Sequence, residues 1–357
     1  MQALSRVTIG QQGYPDKSDD RHRQENPSLP DRDSLIEISP GVFAWNVNPD
    51  TRHALVTSAI GGRYLEDFRQ FSLPTWQKYA QRCGAGVVVF SDGSVSEDTL
   101  GGFNGAWLKM LLPELVNQQF PQIKRLALVD TDIIINPAAP DVFEATPQGH
   151  VGVVPEFSPK PGMDNLSRKR MAFLRKKYYD ASYPLDSILF ASAEQVYLEE
   201  GFQPLSESFC SGLLVLDSAS SSTFSAWFDE AKTTELGPAV AWEQTYLNYK
   251  VLTQLPHHWL DQRFQVIWNL EMASSYPSLY RMGDLSNSEF AENYVADTLN
   301  RVYFLHFAGS WPESTAWKNS PQKIMSKMGS LYEPEFLEYL ASPSTGVARG
   351  KLSFQPD

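Results

Sequence analysis

The sequence predicts an α/β protein: one domain built on a central mixed, mostly parallel sheet with helices on its faces. Three observations predict it. Residues 54–59 and 86–90 are short apolar runs on either side of a stretch, 65–82, that reads as helix interrupted near Pro74. Strand–helix–strand order calls for a parallel sheet with a right-handed crossover. Within residues 124–135, Leu126 to Val129 are apolar without interruption, as in a strand buried on both faces. That run stops at two carboxylates, Asp130 and Asp132. At the carboxyl end of a central strand they fall in the crevice where open α/β sheets bind ligands.

Size and charge narrow the classes. The chain of 357 residues is long enough for two average domains or one large one. With 30 Lys and Arg against 42 Asp and Glu its net charge is −12, which argues against nucleic-acid binding through phosphate neutralisation. An acidic chain still binds a nucleotide diphosphate when a metal bridges the two. Cys83 and Cys210 are the two cysteines, too few for a disulfide framework or a zinc site. Residues 1–10 lack the apolar core of a signal peptide, and no stretch approaches the roughly 18 apolar residues of a membrane span. The expectation is a soluble cytoplasmic protein with reduced thiols.

Taken in order, residues 1–52 read as a polar arm, ending in a short hairpin at 36–47 around Pro40-Gly41. The ordered domain runs over 53–320. Its first strand ends in a small-residue turn, Gly61-Gly62, that lets backbone approach a ligand but is no Gly-x-Gly-x-x-Gly fingerprint. Residues 104–117 have helical periodicity, with Lys109 among apolar positions. It either snorkels to the surface or aims its charge at the carboxylates. Strands are expected at 151–154, at 213–217 after a small-residue turn over 209–212, at 265–268 and at 301–305, and helices at 140–145, 223–232 and from 242 onward. Residues 155–201 read as an irregular insertion with a basic run at 168–177 (Arg168, Lys169, Arg170, Arg175, Lys176, Lys177). Such a run is usually a solvated face; in an acidic protein it also suits an anionic acceptor or peripheral contact with a membrane surface. Residues 321–357 form a C-terminal extension.

Two carboxylates one residue apart repel each other, and burial disfavours their charge. A divalent cation with oxygen ligands is the economical compensation. The other reading of the pair is a turn or a helix cap. His306, at the end of the 301–305 strand, is either a packed residue or a nitrogen ligand completing a two-Asp, one-His set suited to manganese.

These pieces together resemble the GT-A fold nucleotide-sugar glycosyltransferases, which carry a Rossmann-like domain. The closest resemblance is to the retaining glycosyltransferase family 8, with its glycogenin-like and lipopolysaccharide galactosyltransferase-like members. It covers roughly residues 53–320. Residues 57–64 are similar to the family's nucleotide-binding start, and residues 109–115 to the helix whose leading Arg or Lys reaches the donor. Asp130-Thr131-Asp132 matches the metal-binding triplet, and Phe209-Cys210-Ser211-Gly212 the segment lining the sugar pocket. Glu243-Gln244 with Leu247-Asn248, and then His306-Phe307-Ala308-Gly309, follow in the family's order. Two positions depart from the pattern. Cys210 stands where the family has Asn, and Ser310-Trp311-Pro312-Glu313 where it has Lys-Pro-Trp, so that Lys318 is the first lysine available for a diphosphate.

The resemblance implies transfer of a sugar from a nucleotide diphosphate, a UDP-sugar, to a glycan or glycolipid hydroxyl with retention of configuration. Asp130, Asp132 and His306 would hold Mn²⁺ or Mg²⁺, which neutralises the leaving diphosphate. Ser58, Ala59, Tyr64, Lys109, Asp130, Thr131, Ser211, Gly309 and Lys318 would bind the donor. Gln244 would be the polar group beside the anomeric carbon, with Glu243 as a nucleophile or, in an inverting enzyme, the base. A phosphohydrolase, a nucleotidyltransferase and a non-catalytic nucleotide-sugar-binding homologue are the other readings.

Overall fold

The computed structural model describes residues 34–156, 163–185, 190–233 and 243–328. Its strands are β1 (Ile36–Ser39), β2 (Val42–Trp45), β3 (His53–Ala59), β4 (Gly86–Ser91), β5 (Arg125–Val129), β6 (Ile133–Ile135), β7 (Val151–Pro155), β8 (Phe209–Asp217), β9 (His257–Trp259), β10 (Val266–Ile267) and β11 (Phe304–His306). Eight of them form one mixed sheet in the order β1-β2-β4-β3-β5-β8-β7-β9. The centre, β4-β3-β5, is parallel, as the strand–helix–strand reading requires. Strand β8 runs antiparallel between β5 and β7. The expected 36–47 hairpin is present and pairs through β2 with β4.

Burial of β5 on both faces is what places the crevice. Leu126 and Leu128 point into one apolar layer with Trp107, Met110, Phe224 and Tyr246. Ala127 and Val129 point into the opposite layer with Trp76, Tyr79 and Phe143. Fully burying side chains of this size contributes about 1.5–3 kcal/mol each. A second, three-stranded sheet, β10-β11-β6, lies over a third apolar cluster that includes Ile134, Leu305, Trp268 and Leu299.

Several expected elements differ in detail. The helix expected over 104–117 is two pieces, a 3₁₀ segment Gly105–Met110 and an α-helix Leu112–Gln119. Pro113 has no amide N–H to donate and starts the second piece. Pro74 likewise starts the helix Leu73–Arg82, after a π segment Phe68–Ser72. Arg301 ends the helix Glu289–Arg301, so β11 begins only at Phe304. Trp268 opens a helix and leaves β10 two residues long. Cys210-Ser211-Gly212 is strand, not turn. The segment read as irregular contains helices Met163–Tyr178 and Ala193–Glu199, the latter started by a Ser192–Gln195 capping box. Residues 1–33 of the polar arm and 329–357 of the C-terminal extension lie outside the described residues. No described helix is long and apolar enough to cross a membrane.

Helical spacing divides the basic run. Arg168 and Arg175, seven residues apart, share the side of buried Met171 and Leu174, while Lys169, Arg170, Lys176 and Lys177 are exposed. Arg175 stacks over the Trp311 ring, 4.9 Å from its centroid, and its Nε donates to Glu313 Oε1 at 2.6 Å. Glu313 is wholly buried. Loss of water pushes its carboxyl up despite the guanidinium. Its Oε2 has no hydrogen-bond partner among the described residues. Removing one partner of such a pair strands the other charge, so Glu313→Ala should lower unfolding free energy by about 3–5 kcal/mol. Urea unfolding measures this, and the double change Arg175→Met, Glu313→Leu should recover most of the loss.

Candidate metal centre

The chain leaves the large sheet at Val129 and enters the small one at Ile133. Asp130, Thr131 and Asp132 span the gap, and each is pinned by its backbone. The Asp130 N–H donates to Gly212 O at 3.0 Å, Ser72 Oγ donates to Thr131 O at 2.6 Å, and the Phe307 N–H donates to Asp132 O at 3.0 Å. Antiparallel pairing of β6 with β11 sets Ile133 opposite His306. The small sheet thereby returns an imidazole to the two carboxylates. His306 Nε2 lies 3.3 Å from Asp132 Oδ1 and 3.8 Å from Asp130 Oδ2. One ligand atom from each of the three residues falls within 4.8 Å of the others. Two carboxylate oxygens and one imidazole nitrogen suit a hard or borderline divalent cation such as Mn²⁺ or Mg²⁺.

Lys109 does not reach the surface. Its Nζ lies 2.9 Å from Asp130 Oδ1, 2.9 Å from Glu243 Oε1 and 2.8 Å from Ser211 O. Three N–H bonds thus meet three protein acceptors. Glu243 is buried, and its Oε1 also accepts from Ser211 Oγ at 2.9 Å. Burial works against the Lys109 charge, but Asp130 and Glu243 overcome it and hold its pKa above the usual lysine value. The protein wall around Asp130 pushes its carboxyl up, outweighing Lys109 and His306. For Asp132, loss of water also works upward, yet His306 prevails and the carboxyl is held below 3.8. Burial disfavours charge on His306 as well, and Asp132 nevertheless raises it well above 6.5.

Gln244 adjoins this group. Its Oε1 accepts from the Ser211 N–H and from Ser211 Oγ, both at 3.3 Å, and its Nε2 donates to Glu156 Oε2 at 3.4 Å. Beyond it opens a cavity of about 220 Å³ lined by Glu156, Arg168, Tyr197, Ser208, Gln244 and Thr245, among others. Burial raises the Glu156 carboxyl, opposed by a hydrogen bond from Ser208 Oγ at 2.9 Å. Sequence reasoning missed Glu156, although it follows the buried strand β7 as Asp130 follows β5.

The remaining expected residues are spread around the crevice. Strand β3 pairs with β5 as far as Val56↔Leu128; Ser58 and the buried Ala59 lie just beyond that pair. Tyr64 is exposed. The turn between them is held by Asp92 Oδ1, which accepts the Gly61 N–H at 2.9 Å. Gly309, three residues past His306, is exposed with φ of 89°, a conformation that favours glycine. Lys318 pairs with Asp67 Oδ2 at 2.8 Å, on the helical segment after that turn, and not with the triad.

No family of protein sequences matches the chain, and no curated protein matches it either. Among solved structures, a glycosyltransferase involved in the glycosylation of the major capsid of PBCV-1 superposes with a TM-score of 0.42. It has 9% identity over 74% of this chain and 97% of that one. The WbbM bifunctional glycosyltransferase in its apo form gives 0.43 and 13% over 80% of this chain. The chain spans about half of WbbM, 54% of its length. Neither similarity assigns an activity here.

The His306–Asp132 contact stabilises the cation-free fold fully between pH 3.8 and 6.5. That stabilisation fades as pH rises through the raised pKa of His306, or falls through the depressed pKa of Asp132. Asp132 favours a proton on the imidazole, and a cation on Nε2 has to displace a proton held there. Mn²⁺ binding should therefore release about one proton per site. Calorimetry in buffers of different ionisation enthalpy reads that proton, and heats independent of buffer show a neutral imidazole instead.

Proposed function

We propose that this chain is a metal-dependent glycosyltransferase of the GT-A type. It would move a sugar from a nucleotide diphosphate donor, a UDP-sugar, to a hydroxyl of a glycan or glycolipid, with retention. One observation carries the reading. Asp130, Asp132 and His306 converge at the carboxyl end of a central strand, beside a cavity reached through Gln244. On this reading the triad takes the diphosphate-bound cation and the cavity takes the sugar. Residues 53–320 make up the catalytic domain, with 155–201 on the acceptor side.

Asp130, Asp132 and His306 would hold Mn²⁺ or Mg²⁺, which when bound supplies positive charge to the departing diphosphate. The protein's own groups do the rest. Ser58, Ala59, Tyr64 and Thr131 frame the nucleotide, and the exposed Gly309 backbone approaches the diphosphate from the other side. Lys318 reaches the donor only by leaving Asp67. Lys109 brings positive charge against Asp130 and Glu243, beside the place where charge develops. Glu243 already accepts from Lys109 and Ser211 through one oxygen, so it acts by fixing Lys109 and Ser211. Gln244 is the polar group nearest the reacting carbon: its carboxamide oxygen accepts from Ser211 on the triad side and its nitrogen donates to Glu156 on the cavity side. The exposed cations Lys169, Arg170, Lys176 and Lys177 suit an acceptor embedded in an anionic surface.

Calorimetric titration of UDP with Mn²⁺ tests the core of this reading. Binding should need the metal and disappear in Asp132→Ala; metal-independent UDP binding, or none by the unaltered protein, overturns it. The surface contact has its own test. The triple change Lys169→Glu, Lys176→Glu, Lys177→Glu should abolish co-sedimentation with anionic vesicles and leave UDP binding unchanged.

A further inference from the structure

His306 has a second ring nitrogen, and what faces it decides whether Nε2 is free to bind a cation. Gln265 is buried, and the nearer end of its carboxamide lies 3.1 Å from His306 Nδ1 and 3.0 Å from Cys210 Sγ. Cys210 Sγ itself is 3.8 Å from Nδ1. The thiol therefore sits behind the imidazole, on the ring edge away from Asp130 and Asp132. Alternation along β8 explains this: Ser211 turns toward Lys109 and Glu243, and its neighbour Cys210 turns toward His306.

The inference rests on Asp130, Asp132 and His306 being a cation site. An imidazole that ligates through Nε2 keeps its proton on Nδ1. The group 3.1 Å away must then accept. The two ends of a carboxamide have the same shape, and donor–acceptor chemistry decides between them. With the amide nitrogen against Nδ1, a donor would face a donor, and Gln265 Oε1 stays buried without a partner among the described residues. With the carbonyl oxygen turned to the ring, Oε1 accepts both the Nδ1–H and the Cys210 S–H. We propose that Gln265 is the positioning residue of the centre: its carbonyl holds His306 in the tautomer and orientation that present Nε2 to the cation, with Cys210 as a second donor to the same oxygen.

Gly212 is the floor beneath both groups. A Cβ at this position would lie 2.3 Å from Gln265 Nε2, 2.6 Å from His306 Cε1 and 2.8 Å from His306 Nδ1. Its N-terminal neighbours on β8 contribute Ser211 to Lys109 and Cys210 to Gln265, and its own carbonyl accepts the Asp130 N–H. One backbone position thus serves the carboxylate and the imidazole together.

Mn²⁺ affinity, measured by electron paramagnetic resonance with and without UDP, tests the proposal apart from turnover. Gln265→Leu should weaken Mn²⁺ binding roughly 10–100-fold, the range for loss of a hydrogen-bond partner behind a metal-bound histidine. Gln265→Glu, whose carboxylate still accepts from Nδ1–H, should restore most of it. Gly212→Ala, which displaces both groups, should also weaken it. Thermal unfolding of each variant separates loss of the fold from loss of the cation. Wild-type affinity in a folded Gln265→Leu protein, with His306→Ala losing Mn²⁺, overturns this inference alone. Absence of Mn²⁺ binding by the unaltered protein overturns the cation site and the inference with it.

Discussion

Everything at the candidate centre depends on one backbone constraint: a single chain segment must belong to two sheets at once. Val129 is paired in the large sheet and Ile133 in the small one, which leaves three residues to make the crossing. Their backbone groups are bonded to β8, to the residue after β11 and to Ser72. Two carboxylates are thereby held at the surface of a crevice with little freedom to move apart. Strand pairing alone then delivers the other groups, Gly212 and its neighbours from β8 and His306 from β11. The arrangement is built from ladder hydrogen bonds and apolar layers.

Holding carboxylates together has an electrostatic cost, and the surrounding charges respond to it. Three carboxyl groups, on Asp130, Asp132 and Glu243, are met by one ammonium and one imidazole, so acidic groups outnumber basic ones. Lys109 is spent on the side nearer Glu243, and the side nearer Asp132 has only the imidazole. Burial of Lys109 and His306 beside carboxylates that keep part of their surface exposed gives the group a closed back and an open front.

How much of this was legible depended on whether a residue interrupts a pattern. Asp130 and Asp132 end an apolar run, and Lys109 breaks an apolar helix face; both stand out in a plain reading. Glu156 carries the same signal at the end of β7, yet Pro155 and the polar stretch after it obscure the strand end. Gln265 carries no signal, because a neutral amide disturbs neither charge nor periodicity, and its partner lies 41 residues away. The basic run was read as one feature, although Arg168 and Arg175 recur at a helical interval with Met171 and Leu174 between them. That spacing distinguishes an inward pair from an outward four. Pro113 was visible within the 104–117 stretch, and its missing N–H decides where the helix starts.

The pairing of Arg175 with Glu313 ties together parts of the site that are far apart in sequence. Arg168 reaches the cavity wall from the same helix, two turns or about 10 Å from Arg175, while Glu313 follows His306 by seven residues. The helix is thus bolted to the segment that supplies the imidazole. A shift of this helix has to carry Glu313 with it or break the pair. A larger occupant could not be admitted by swinging this helix outward without dragging on the segment that follows His306. Accommodation of different molecules has to come from the side chains at the rim.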